Sequence, residues 1–243
     1  NMLILVTVNI VFGLVSYFLF GRFGIPQGYY QTLMVFCLVW GFGASLISLA
    51  LSKTMARWMI GVRNIDPRTN DPSLRWVVET VHSQARAAGL RVMPEVGVYD
   101  NPEVNAFATG PSRNRSLVAV SSGLLNNMNR EQVEGVLGHE VSHIANGDMV
   151  TMALLQGVVN AFVMFFARVL SSLIASQVEE RNRYWIQFAL TIVFDIAFSI
   201  LGSIVVCWFS QRREFRADAG GARLAGREKM INALRGLQRT FEF

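Results

Sequence analysis

Three histidines occur in 243 residues, and two of them stand four apart in "VLGHEVSHIANGD", residues 136–148, with a glutamate next to the first. On a helix, positions four apart lie one turn above each other on one face, so His139 and His143 can direct two imidazole nitrogens at one ion. Glu140 stands where its carboxylate can reach the open side of that ion and accept a proton from the water activated there, which is the chemistry of the HExxH pattern. With three His and eleven Glu in the chain, chance produces this pattern in roughly one of several hundred such sequences. Two merely solvated helix histidines are therefore the weaker reading.

A catalytic zinc takes a third protein ligand and keeps its fourth position for water. His82 lies beside Val78 and Val81 in another segment, where a structural or solvated role is expected. The search therefore moves to carboxylates. Asp148, five residues past His143, reads as a cap on the helix end, and Glu134, five residues before His139, falls on another face. Glu214, in "SQRREFRADAGGARLAG", follows an apolar run, and a continuing helix could bring it back against the HExxH helix. Asp218, one turn further on, could hold the second nitrogen of a ligand histidine. An acid among arginines also reads as an ion pair, so spacing alone leaves the third ligand open.

The elements that must position these residues are legible from periodicity and caps. In "NREQVEGVLGHEVSHIANGD", Asn129 is an N-cap with Gln132 as its capping-box partner, and Val133, Val136, Leu137, Val141 and Ile144 form an apolar stripe. The motif is therefore helical. "DPSLRWVVETVHSQARAAG" predicts an earlier helix, opened by Asp71 and Pro72, with apolar Leu74, Val77, Val78, Val81 and Ala85, and ended by Gly89. Between the two, "MPEVGVYD", "NAFATG" and "SLVAVSSGLL" predict two or three short strands.

The rest of the chain is far more apolar. Overall 52% of residues are hydrophobic, only 16% are charged, and mean hydropathy is +0.35, which favours a membrane protein. Four runs are long enough to cross roughly 30 Å of hydrocarbon. They lie at about 3–20, 32–51, 151–176 and 185–209. The last two are interrupted by Arg168, near enough to a span end to snorkel, and by Asp195, which should face other helices or water. Residues 1–51 and 151–209 thus read as two membrane hairpins. Residues 52–150 read as a water-exposed domain and 210–243 as a helical segment on the same side. Lys53, Arg57, Arg63 and Arg68 follow the second run, and Arg212, Arg213 and Arg216 follow the fourth, so the positive-inside rule places that side in the cytoplasm. The net charge of +5 is explained by this topology and gives no reason to expect a nucleic-acid partner. No nucleotide-binding motif is present. Cys37 and Cys207 fall inside predicted spans and read as small apolar residues.

Together, "HEVSHIANGD", two further spans and "REFRAD" resemble the HtpX family of bacterial membrane zinc proteases, which is related to the CAAX prenyl proteases. "NAFATG", "LVAVSSGLL", "GDMVT" and "GFGASLISL" extend the similarity over nearly the whole chain. The resemblance implies a mainly α, four-span integral membrane protein carrying a small α+β zincin-like cytoplasmic metalloprotease domain. It implies Glu214 as the third ligand of one Zn2+ per chain, Asp218 as its support, and Asn105, Ala106 and Phe107 as part of a cleft-edge strand that binds substrate backbone. Phe107 also reads as a core residue. Arg216 stands where some relatives have histidine, and carries no expected role. The "SQVEERNRY" connection is shorter than in many relatives.

With the HExxH helix expected to run directly into the third span, the metal should lie close to the membrane surface. The resemblance implies an endopeptidase of the bacterial inner membrane that cuts cytoplasmic regions of misfolded membrane proteins under stress and shares that task with an ATP-dependent membrane protease. Two other readings are a membrane chaperone or adaptor with a structural zinc, and a narrow CAAX-type peptidase.

Overall fold

The computed structural model describes residues 27–241, so the apolar run at 3–20 lies outside the described residues. The chain is mostly helical with one small sheet. A long helix, α1 (Gln27–Met59), leads to a two-residue strand, β1 (Arg63–Asn64), and an amphipathic helix, α2 (Pro72–Ala87). Strands β2 (Glu95–Tyr99), β3 (Ala106–Thr109) and β4 (Leu117–Ser121) follow. After them come short α3 (Ser122–Asn127), the motif helix α4 (Arg130–Asn146), and the long helices α5 (Asp148–Ala175) and α6 (Glu180–Ala225). A last helix, α7 (Arg227–Phe241), closes the described chain.

Local chemistry sets these boundaries. Asp71 accepts hydrogen bonds from the Ser73 and Leu74 N–H groups with Pro72 at the first helical position, and Gly89 follows α2 at φ 74. At the start of α4, the Asn129 side chain accepts from the Gln132 N–H and the Gln132 side chain accepts from the Asn129 N–H, both at 3.0 Å. That reciprocal pair satisfies two of the donors every helix start leaves free.

The sheet has the order β1-β2-β4-β3. β2 and β4 run parallel, pairing Val96 with Val118 and Val98 with Val120, while β3 runs antiparallel to β4 with Ala106 opposite Val120. β1 is a short addition that periodicity did not predict, because two residues carry no alternation. Alternation along β4 divides two cores. Val118 and Val120 face Val77, Val81, Leu137 and Val141 of α2 and α4, and Leu117 and Ala119 face Tyr99, Val62 and Ala56 at the end of α1. The sheet is thus buried on both faces, and β3 remains its edge.

Helices α1, α5 and α6 are each long and apolar enough to cross a membrane, with mean hydropathy of 2.1, 1.9 and 2.3 in their most apolar stretches. Trp40, Ile47, Ile200 and Ile204 stand exposed along them, the surface expected of a helix bundle solvated by lipid. Helix α6 runs through position 210 without a break, so the fourth span and "REFRAD" belong to one rigid rod. By contrast, α4 does not continue into α5 as expected. Gly147 takes a left-handed conformation, φ 72 and ψ 30, and its N–H bonds back to His143 and Ile144 carbonyls. The chain turns there, and the membrane helix starts afresh at Asp148.

Within the bundle, Arg168 donates to the Met164 carbonyl. Asp195 lines a cavity of about 570 Å3 together with Arg168, Gln187 and Thr191, facing neighbouring helices as the sequence predicts. Its Oδ1 atom is buried with no hydrogen-bond partner among the described residues.

Candidate metal centre

The motif helix and the C-terminal end of α6 approach through glycine. A Cβ on Gly221 would stand 2.9 Å from the His139 backbone nitrogen, and one on Gly220 would stand 2.4 Å from Ser142 Oγ. Only hydrogen fits in that space, so backbone meets backbone and the acids one and two turns earlier on α6 reach the histidines of α4. The "AGG" of residues 219–221 was the available signal for this contact, and its spacing from Glu214 made it hard to read without the fold.

His139 Nε2 lies 3.0 Å from His143 Nε2 and 3.2 Å from Glu214 Oε2, and His143 Nε2 lies 3.4 Å from the same oxygen. A tetrahedral ion with bonds of about 2.0–2.1 Å holds its donor atoms about 3.3–3.4 Å apart. His139, His143 and Glu214 together satisfy the geometry of a metal-binding group. Each of the three is held from behind. His139 Nδ1 contacts Asp218 Oδ1 at 2.8 Å, His143 Nδ1 contacts Asp148 Oδ2 at 2.7 Å, and Arg213 Nη2 donates to Glu214 Oε1 at 2.7 Å. A carboxylate only accepts, so each imidazole carries its proton on Nδ1 and turns the lone pair of Nε2 inward. Three lone pairs then converge on one point, an arrangement that needs a cation. The residues fit a metal.

Asp148 is almost fully buried, at 1% exposure, and its second oxygen accepts from Arg216 Nη2 at 2.7 Å. Sequence reasoning treated Asp148 as a helix-end cap and gave Arg216 no role; the turn at Gly147 swings Asp148 back onto His143 instead. Glu134 pairs with Lys229 away from the cluster, and the His82 ring bonds the Pro94 carbonyl at 3.1 Å.

Glu140 is buried beside the cluster. Burial pushes its carboxyl up to about 7, against the pull of His143, the Ala108 N–H and Arg213, with Glu214 adding to the rise. Burial works against a charge on His143, but the hydrogen bond to Asp148 and the Glu140 and Glu214 carboxylates outweigh it and raise its pKa. Burial also opposes the Glu214 charge, yet the bond from Arg213 and the neighbouring histidines hold that carboxyl below its ordinary range. A carboxylate poised near neutrality next to a converging donor set is the combination expected of a base.

The edge strand runs past this cluster. Because Ala108 donates its N–H to Glu140, its peptide faces away from β4, and Ala106, two residues earlier, faces the same way. Asn105 and Ala106 border an apolar pocket of about 260 Å3 that also includes Val136, His139, Glu140 and, from α7, Leu234. The Phe107 ring points to the other face, 5.6 Å from Tyr99, in the packing role that was its second reading.

A metal centre of two helix histidines and a glutamate from a later helix, with a buried glutamate beside it, defines a metallopeptidase carried on membrane helices. The chain belongs to peptidase family M48, whose model matches residues 72–241, and it is a metalloprotease. It is 54% identical to Protease HtpX of Aeromonas hydrophila, over 99% of this chain and 86% of that protein. To the Protease HtpX homolog of Bacillus subtilis it is 51% identical, over 98% and 82% of the two chains. Among solved structures it resembles S. mikatae Ste24p with a TM-score of 0.55 at 18% identity, over 98% of this chain and 57% of that one. That likeness concerns the fold.

Proposed function

We propose that this chain is a zinc-dependent endopeptidase in which His139, His143 and Glu214 hold one Zn2+ and Glu140 is the general base. The observation that carries the reading is the inward convergence of the three donor atoms with each partner already occupied behind them. When bound, zinc supplies Lewis acidity to the scissile carbonyl and to the attacking water. Glu140 takes the proton that the water gives up and returns it to the leaving amine. Asp218 and Asp148 keep both imidazoles in the tautomer that offers Nε2, and Arg213 orients Glu214 so that Oε2 faces the ion. The backbone of Asn105, Ala106 and Phe107, with the rest of β3, binds the substrate as an added strand.

Residues 52–150 and 210–243 supply the protease, and the membrane helices anchor it in a bacterial inner membrane with the site facing the cytoplasm. Its substrates are cytoplasmic regions of misfolded or damaged membrane proteins, and the work overlaps that of an ATP-dependent membrane protease. A structural zinc in a chaperone is less well supported, because closed structural sites use four protein ligands and gain nothing from a buried base. A narrow CAAX-type peptidase rests on likeness of fold alone.

Zinc content per chain, measured alongside cleavage of an unfolded protein in detergent, tests the proposal. One zinc in the native chain, retained in Glu140→Ala and lost or weakened in Glu214→Ala, with activity gone from both, is the expected result. Full zinc and full activity without Glu214 would move the third ligand elsewhere.

A further inference from the structure

The edge strand has a pocket at each end, and they differ in kind. At Ala106 lies the apolar pocket under α7. At Thr109 the strand meets a groove of about 490 Å3 between α1 and α5. Ser45, Ser48, Ser52, Thr109, Gln156 and Asn160 line it. All but Thr109 belong to helices otherwise apolar enough to span a membrane, where they stand among alanine, leucine and methionine side chains and where polar side chains are costly and mark pathways.

The groove's depth follows from the helix. Gln156 and Asn160 lie eight and twelve residues beyond the start of α5 at Asp148, about 12 and 18 Å along its axis. The helices themselves touch lower down, where a Cβ on Gly41 would stand 2.7 Å from the Ala161 nitrogen. From that contact the groove extends to Ser52 and Met149, next to the strand that faces the metal cluster. Gln156 Nε2 donates to Asn160 Oδ1 at 2.8 Å, which leaves the carbonyl of one amide and the NH2 of the other for a guest. Ser45 and Ser52 donate back to the Gly41 and Leu49 carbonyls, so their oxygens remain acceptors.

We infer that the α1/α5 groove is the entry path for a membrane-embedded segment of the substrate, locally unwound, on its way to β3. The inference rests on the proteolytic reading above. Strand addition at β3 needs an extended backbone, and a helix that unwinds before leaving hydrocarbon exposes peptide N–H and C=O groups that lipid does not satisfy. The groove supplies donors and acceptors over that depth and ends at Thr109, the last residue of the strand that would receive the chain. An apolar helix as occupant would use none of the hydrogen-bonding capacity that the Gln156–Asn160 pair keeps among the described residues. Substrates of this route are cut within a few residues of where their chain leaves the bilayer.

The test uses the full chain with Glu140→Gln, reconstituted in phosphatidylethanolamine and phosphatidylglycerol vesicles with a single-span model protein bearing an unstructured extension. A photo-crosslinking residue is placed at Ser48 or Gln156, and for comparison at the lipid-exposed Ile204. At least a fivefold excess of substrate adduct from the two groove positions, mapped to the membrane-proximal end of its span, is expected. Equal adducts from Ile204, or groove adducts only to residues 1–26 of the same chain, would overturn the inference. In parallel, Gln156→Leu with Asn160→Leu should lower the ratio of membrane-substrate to soluble-substrate cleavage at least fivefold, and an unchanged ratio would count against it. If the chain without any substitution cleaves neither substrate, it is the proteolytic reading that fails.

Discussion

Two polar clusters in this molecule use the same residue types and differ in how their acids are held. At the metal centre, Asp148, Asp218, Arg213 and Arg216 occupy the back of every ligand, and Asp148 spends both oxygens, one on His143 and one on Arg216. In the membrane bundle, Arg168 and Asp195 share a cavity, but Arg168 donates to a backbone carbonyl and Asp195 Oδ1 has no hydrogen-bond partner among the described residues. A network that gives every ligand a partner fixes orientation, even with Arg213 Nε buried and without a hydrogen-bond partner among the described residues, whereas a pair whose acid lacks such a partner is freer to rearrange. The first cluster is therefore expected to be sensitive to every atom, and the second to tolerate change.

The largest effect is expected from Glu140→Gln, which removes the base and keeps the shape. Proteolysis should fall about 10²–10⁴-fold while zinc content stays at the native level; loss of zinc along with activity would show that the side chain is structural. Next comes the buried partner of His143. Asp148→Asn should weaken zinc binding about 10–100-fold, read by competition with a chelator. Arg216→Met should weaken it less, and Arg216→Lys should restore part of that loss. If Arg216→Met binds zinc like the native chain, the second link of the network has no influence on the site.

The pH dependence of the metal-free protein probes the same burial. With its carboxyl raised from 4.5 to about 7, Glu140 holds a proton in the folded state over a window where the unfolded chain has released it. Stability contributed by that proton is present below about 4.5 and is lost as pH rises towards 7. Glu140→Gln should abolish that decline and stabilise the metal-free protein by about 3 kcal/mol at pH 8, measured by thermal unfolding in detergent. Added zinc should draw the Glu140 carboxyl back down, visible as a shift in its carbon NMR titration. The smallest effect is expected at the other cluster. Asp195→Asn should change proteolysis of an unfolded protein less than about twofold, because Asp195 Oδ1 makes no hydrogen bond among the described residues for the change to break.

Much of the site was legible before any fold was in hand, and unevenly so. The capping box at Asn129 and Gln132, the apolar stripe of α4 and the pairing of His139 with His143 rest on interactions within four residues. Asp148 was misjudged for an equally local reason. Taken as a cap on the end of α4, that side chain has no part in the site, whereas a single left-handed Gly147 starts a new helix at Asp148 and brings its carboxylate to His143. Arg213 and Arg216 looked like basic residues flanking a span, and Glu214 and Asp218 within the same six residues, 213–218, carried a hint that the same face served a site. The expected first span, residues 3–20, lies outside the described residues.

The sequence by itself determined the motif helix, the two strands of the parallel pair, three apolar helices and the chemistry available to one glutamate between two histidines. Periodicity and capping operate over one or two turns, and any folded form of the chain must respect them. Tertiary structure decided which carboxylate completes the metal set, because Glu214 and Asp218 lie 75 and 79 positions from His139. Their approach depends on Gly221 letting its helix backbone touch that of His139 and on Gly220 leaving room for the Ser142 side chain, and on α6 staying one unbroken rod from its apolar stretch to the site. Donor distances of 3.0–3.4 Å arise only when those separate elements pack, since no local preference of the chain encodes the space between two helices.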